Sequence, residues 1–273
     1  MSVIHSRSIS RKIARKRAGL KFLDQRGSRP DAPSGMQDTA LRRTVLLSAT
    51  NRVIHDPTHG YATRVPATKN AKTARGFTMF KDVKVYHESE LEHRNVLRLQ
   101  ARNDVVSIHS QFPVIRYPDA GGVLREHVVD FYVEYSDGYR QACIVKQEKK
   151  RPEMEHLILR LEANRNPEVV DGISLLTENH GSHAAAHNAK MVLWSRDYHH
   201  QKDVDELLAA VRLLTSWVRL GELLRNCSSI PRRRAAIWRL IDAGILFSST
   251  GEKITELSWL GYAPEGGPTG LLG

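Results

Sequence analysis

Apolar residues are sparse and scattered over residues 1–76 and turn periodic from Phe77 onward. In the first stretch, Ser10 to Phe22 predicts a short basic helix, with Ile13, Ala14, Leu20 and Phe22 as its apolar contacts. Asp24 to Asp38 is broken by Gly27, Pro30, Pro33 and Gly35 and reads as a linker. Beyond Phe77, Leu91, Val96 and Leu99 recur at helical spacing, which predicts a helix over Glu88 to Leu99. Val105 to Tyr117 is β-branched and aromatic and predicts one or two strands, closed by a turn at Pro118 to Gly122. Val129, Phe131 and Val133 alternate with Asp130 and Tyr132, so Val128 to Tyr135 reads as a strand. Asp137-Gly138 signals a hairpin, and Tyr139 to Lys146 is the returning strand. Met154 to Asn164 reads as a helix and Lys190 to Ser195 as a short buried strand. This order predicts an α/β domain, a mixed sheet flanked by helices.

The remainder changes period again. Val204 to Leu224 carries Leu207, Leu208, Val211, Leu214, Val218 and Leu220 at helical spacings. A second helix follows, with Ser229 as its cap and Pro231 in its first turn, and runs through Ala235, Ile237, Trp238 and Ile241 to Gly244. Ile245 to Phe247 and Ile254 to Leu257 predict a small hairpin. Two helices and two strands have the shape of a winged-helix-like module. The expected organisation is a basic, partly disordered N-terminal arm over 1–76, an α/β domain over 77–203, a winged-helix-like module over 204–262 and a flexible tail over 263–273.

Charge adds a partner to this picture. The 273 residues carry a net charge of +11, yet residues 1–76 hold 16 Lys and Arg against 4 Asp and Glu, so the excess lies wholly in the arm. A basic arm gains from a polyanion because each neutralised phosphate releases counterions, which points to nucleic acid. A solubilising tail is the alternative. Two cysteines, Cys143 and Cys227, make neither a disulfide framework nor a cysteine-based zinc site and suit a reducing cytosol. No apolar run approaches the roughly 18 residues of a membrane span, and no secretory segment is expected near Met1.

Candidate chemistry lies in three pieces. Glu92 opens the first periodic helix, Asp130 lies on the Val128–Tyr135 strand, and Lys146 ends the returning strand. The hairpin brings Asp130 and Lys146 to neighbouring strands, where they share a site if they face the same way. Phosphodiester hydrolysis uses a hard divalent ion held by carboxylate oxygens, with a lysine to orient water or offset phosphate charge. Such residues also occur as plain surface charges on a helix or a strand.

The run from Phe77 to Asp197 resembles the catalytic domain of TnsA-type transposon endonucleases. Val85-Tyr86-His87-Glu88-Ser89-Glu90-Leu91-Glu92 is similar to the family segment that ends in its helix glutamate. Val105 to Pro113 is similar to the following strand with its Gln-Phe/Pro signature, and Val129-Asp130-Phe131-Tyr132-Val133 to the Asp-bearing strand. Met191-Val192-Leu193-Trp194-Ser195-Arg196-Asp197 is similar to a late family strand. The resemblance is looser over 204–262 and does not cover 1–76. It implies a restriction-endonuclease-like fold and a DNA endonuclease that nicks double-stranded DNA at transposon ends in a bacterial cytoplasm. Implied catalytic residues are Glu92, Asp130 and Lys146. Mg²⁺ (or Mn²⁺) is the implied cofactor. An integrase-class transposase and an ATP-dependent regulator are the implied partners.

One position departs from the family. Two residues before the lysine the family has Glu or Gln, and here Ile144 stands. Three arrangements follow. Metal is held by Glu92, Asp130 and the Val145 carbonyl; or Gln147, Glu148 and Lys149 take over in a shifted register, which would reverse the strand face; or the fold is kept for DNA binding and assembly without cleavage. A phage nuclease of the same fold is a further possibility. Elsewhere, His183 and His187 are spaced for zinc on a helix, although Gly181 and Ser182 favour a polar loop. Arg232-Arg233-Arg234 heads the second C-terminal helix as a phosphate contact or a solvated face. Trp194, Trp217 and Trp238 read as core.

Overall fold

The computed structural model describes residues 44–47, 52–55, 60–63 and 74–263. The expected helix over Ser10 to Phe22, the linker and the tail from Pro264 lie outside the described residues. The chain divides into two compact units, residues 1–55 and 56–273. In the first, strands β1 (Thr44–Leu47) and β2 (Arg52–His55) pair antiparallel. The arm therefore carries a hairpin where only irregular chain was expected.

The second unit opens with the hairpin β3 (Gly76–Phe80) and β4 (Val83–His87), followed by helix α1 (Glu90–Ala101). Ser89 caps α1, its Oγ accepting from the Glu92 N–H at 3.2 Å. Strands β5 (Val105–Ser110), β8 (Phe131–Tyr135), β9 (Arg140–Val145) and β10 (Gly172–Leu176) form a four-stranded sheet in the order β10-β9-β8-β5. β10 runs parallel to β9 and the other pairs are antiparallel, so the sheet is mixed. A side hairpin, β6 (Val114–Pro118) with β7 (Leu124–Val128), stands between β5 and β8 in sequence. Helix α2 (Arg151–Asn164) connects β9 to β10.

Strand alternation splits the core in two. Phe131, Val133, Cys143 and Val145 join Val96 and Leu99 of α1 on one face. Tyr132, Ala142 and Ile144 join Met154 and Leu161 of α2 on the other. The Asp137-Gly138 turn forms as predicted, with Gly138 at φ 87°.

Three expectations fail. Lys190 to Ser195 is helical, inside α3 (His183–Asp197). Six apolar-rich residues do not distinguish a strand from a doubly buried helix. The run of alanines before it and the Ser182 cap, whose Oγ accepts from the Ala185 N–H at 3.1 Å, decide for helix. His183 and His187 are thereby helical as well, not in a loop. The strand beside β9 is β10 instead.

Second, Val204 to Leu224 is broken. Helix α4 spans Gln201–Val211, then Val218–Arg219 forms β11 and Leu220–Leu223 the short helix α5. Leu207, Val211 and Leu220 are all buried, so the core contacts continue after the helix has ended, which sustains a false period. Trp217 is 45% exposed and meets Phe247 edge-on rather than lying in the core.

Third, the strand returning to β12 (Leu246–Ser248) is β13 (Trp259–Tyr262), not Ile254 to Leu257. Ile254 is buried by itself, and Leu257 is 73% exposed. Helix α6 (Ile230–Asp242) precedes β12, with Ser229 at its N-cap making no side-chain bond. β11, β12 and β13 form an antiparallel sheet in the order β11-β13-β12.

Helix α3 packs on α1 and on α6, so one core runs from Ala101 through Ala189 and Val192 to Ile237 and Leu260. Arg196 fastens this junction. Its guanidinium donates to Asp242 Oδ1 at 2.7 Å, Asp242 Oδ2 at 2.9 Å and the Ala101 carbonyl at 2.6 Å. Among the described residues no helix is long and apolar enough to cross a membrane.

Candidate active site

The site lies at the end of the sheet where β8 begins and β9 ends. Asp130 was expected within a strand; it occupies the bend between β7, ending at Val128, and β8, starting at Phe131. Three backbone bonds fix that bend. The Val129 N–H donates to the Pro113 carbonyl at 3.0 Å, the Gln111 N–H donates to the Asp130 carbonyl at 2.9 Å, and the Val145 N–H donates to Asp130 Oδ2 at 2.8 Å. Gln111 is fully buried and takes φ 54°, a left-handed conformation that costs a non-glycine residue energy.

Lys146 follows β9, its N–H donating to the Leu176 carbonyl at 3.1 Å, and its Nζ lies 3.8 Å from Asp130 Oδ2. The hairpin thus delivers the Asp130–Lys146 pair that its register promises. The lysine is 38% exposed and the carboxylate 15%, so the pair faces out from a mostly buried oxygen. Burial pushes the Asp130 carboxyl above its ordinary value, opposed by the Lys146 cation, the Val145 N–H and His127.

Glu92 enters from α1. Its Oε2 accepts from the Glu88 N–H at 2.6 Å and its Oε1 from Ser89 Oγ at 2.8 Å. Together with the Ser89–Glu92 bond this is a reciprocal cap of the helix start. Each carboxylate oxygen retains a lone pair, so capping and metal binding are compatible. Burial raises the Glu92 pKa, the capping bond from Glu88 lowers it, and the charge of Asp130 raises it further. Glu92 and Asp130 therefore feel one another across the site.

Helix α1 is held to the loop after β10 by a buried network. Asn95 Nδ2 donates to the Leu91 carbonyl at 2.9 Å, and Asn95 Oδ1 accepts from His180 Nδ1 at 2.7 Å. Gly181 is required there, since a Cβ would lie 2.5 Å from Asn95 Nδ2. Burial brings His180 down to about 4, so it stays neutral.

Ile144 is fully buried in the α2 half of the core with Met154 and Leu161. Extending the β8–β9 register one step sets it opposite Asp130. The position two residues before Lys146 is thus occupied by packing. In the shifted set, Gln147 follows Lys146 beyond β9, and the Glu148 carboxylate is engaged by Arg151 in a 3₁₀ turn.

Two side chains at the site escaped the sequence reading. His127, at the end of β7, interacts electrostatically with both Asp130 and Lys146; burial lowers its pKa, and its Nε2 is buried with no hydrogen-bond partner among the described residues. Glu88 adds like charge to Glu92 and Asp130. Glu88 was within reach of inspection, four residues before Glu92, whereas nothing in the sequence brings β7 to this place.

Metal fit rests on the oxygens present. Two carboxylates with raised pKa values beside one lysine suit a single hard ion that keeps several waters, as Mg²⁺ does. Among the described residues no three His, Cys, Asp or Glu side chains are grouped to enclose an ion, and this holds for His183 and His187 too. Of the three arginines heading α6, Arg232 pairs with Asp203 at 2.6 Å and Arg234 with Glu256 at 2.6 Å, so two are tied to neighbouring side chains. No protein-family model and no curated protein matches the chain.

Proposed function

We propose that this protein is a metal-dependent DNA endonuclease subunit of the TnsA type, nicking double-stranded DNA at transposon ends beside an integrase-class transposase and an ATP-dependent regulator. The observation that carries the reading is the Asp130–Lys146 pair at 3.8 Å with the Glu92 carboxylate in electrostatic contact. The mixed sheet with α1 and α2 on its faces supports a restriction-endonuclease-like core. The order α4, β11, α5, α6, β12, β13 with sheet order β11-β13-β12 supports a winged-helix module.

In this reading Asp130 and Glu92 hold Mg²⁺ or Mn²⁺, assisted by the Val145 carbonyl. The ion supplies Lewis acidity toward the phosphoryl oxygen and lowers the pKa of attacking water. Asp130 is held in line by the Val145 N–H, which leaves its outer oxygen face to ligate. Lys146 offsets the negative charge that grows on the phosphate and orients water toward it. Glu92 keeps its place through its own helix cap. The basic arm supplies sequence-independent attraction to the phosphate backbone.

A nicking assay on transposon-end DNA, with partner proteins and Mg²⁺ or Mn²⁺, tests the reading. Asp130→Ala is expected to abolish nicking while DNA binding persists; nicking at the parental rate would refute it. A second reading has its own observation. Ile144 lies in the core where a ligand belongs, as in a nuclease fold retained for DNA binding and assembly. That reading predicts no nicking by the parent and DNA binding that depends on residues 1–76.

A further inference from the structure

The short segment Gly60–Thr63, near the start of the second unit, is seated on the strand end that positions Asp130. The Thr63 N–H donates to the Gln111 carbonyl at 3.1 Å, and Thr63 Oγ1 donates to the same oxygen at 2.8 Å. The N–H of that same residue, Gln111, holds the Asp130 carbonyl at 2.9 Å. Gln111 is thus gripped on both sides, and it is the residue in the left-handed conformation.

The rest of the segment fits only one way. The Tyr61 ring lies 4.5 Å from the His109 ring and 5.3 Å from that of Phe112, and its N–H donates to His109 Nδ1 at 3.4 Å. Gly60 has φ 59°, and a Cβ there would fall 2.2 Å from His109 Nδ1. Phe112 in turn packs edge-on against Tyr132 of β8, at 5.3 Å. Tyr61 itself is 62% exposed, so the segment lies across the surface of the core without entering it.

We infer that Thr63 is a positioning residue of the proposed nuclease site, acting through Gln111 to hold Asp130 at the start of β8. The inference rests on the reading of Asp130 as a metal ligand. A left-handed non-glycine residue persists only where its surroundings over-determine it, and Thr63 supplies two of the bonds that do so. A small displacement of a catalytic group costs rate far more than it costs stability.

Thr63→Val keeps size and removes the Oγ1 bond; Thr63→Ser keeps the hydroxyl. In nicking assays with full-length protein at saturating DNA and Mn²⁺, Thr63→Val is expected to lower the single-turnover rate about three- to tenfold, the span of one net hydrogen bond. DNA affinity should stay within error, Tm should fall by no more than the roughly 2–4 °C that one net hydrogen bond is worth, and Thr63→Ser should restore the rate. Tyr61→Ala, which loosens the same segment from the other side, should lower the rate in the same direction. A parental rate for Thr63→Val, or a loss that Thr63→Ser does not restore, would overturn the latch. Asp130→Asn separates the two ideas: if it nicks normally the nuclease reading fails, and if it is inactive while Thr63→Val is normal only the latch fails.

Discussion

Two aspartates, Asp130 and Asp203, show two ways in which this molecule treats acidic side chains. Asp203, at the start of α4, is 9% exposed and pinned by Arg232 at 2.6 Å, with His200 at 3.1 Å. The Arg232 bond holds its carboxyl below the ordinary value. Asp130, at the start of β8, is 15% exposed and has one lysine at 3.8 Å. Its carboxyl is raised by burial in spite of that lysine. The C-terminal half repeats the first pattern, with Asp242 gripped by Arg196 and Arg239. Arginine neutralises carboxylates that fasten elements together, through a planar fork that a lysine lacks. A buried carboxylate left with a distant lysine is under-compensated, and a divalent cation is what would satisfy it.

The first way to break the comparison is to remove a fastening arginine. Arg196→Ala strips Asp242 of its bidentate partner and frees the Ala101 carbonyl at the α1–α3–α6 junction. Truncating one side of a buried pair costs about 3–5 kcal/mol, and the Arg239 partner that remains lowers this to about 3 kcal/mol here. Denaturant unfolding measures it. A loss under roughly 1 kcal/mol would show that these pairs are ornamental.

The second is to remove the under-compensated charge. A carboxyl whose folded pKa is raised binds its proton more tightly in the folded chain, so stability falls as pH climbs from the ordinary carboxylate value through the raised one. Asp130→Asn keeps an acceptor for the Val145 N–H and removes that penalty. In metal-free buffer at neutral pH it should therefore be more stable than the parent, with a raised Tm. The gain should vanish on acidification below the ordinary carboxylate range, where both proteins are neutral at this position. For Asp203, with its lowered pKa, the sign reverses: its contribution is present above the ordinary value and lost as pH falls through the depressed one. A destabilised Asp130→Asn protein at neutral pH would place Asp130 in the same structural class as Asp203.

Much of the sheet was legible because strand alternation and a two-residue turn act locally. Asp137-Gly138 sets the β8–β9 register, and that register brings the start of β8, next to Asp130, beside the end of β9, next to Lys146. Ser89 and Glu92 mark the start of α1 as a capping pair, although Glu92 stood out in the sequence for its chemistry instead. What stayed hidden depends on tertiary contacts. Met191, Val192 and Leu193 are apolar in succession because α1 and α6 both pack against this helix. Leu214 and Val218 extend the period of α4 only because a strand and a loop return to the same core. Ile144 was visible as a departure, but its burial under α2 required the fold. His127 and the Gly60–Thr63 segment reach the site through loops whose paths no periodicity encodes.

The measurement that bears most directly on the central claim is a calorimetric titration of Mn²⁺ into the DNA-free protein, beside Asp130→Asn. The parent should show one saturable site, with affinity falling as pH is lowered because protons compete for the raised carboxyls. Asp130→Asn should lose that site. Equal binding by both proteins, or none by the parent with and without DNA, would contradict it.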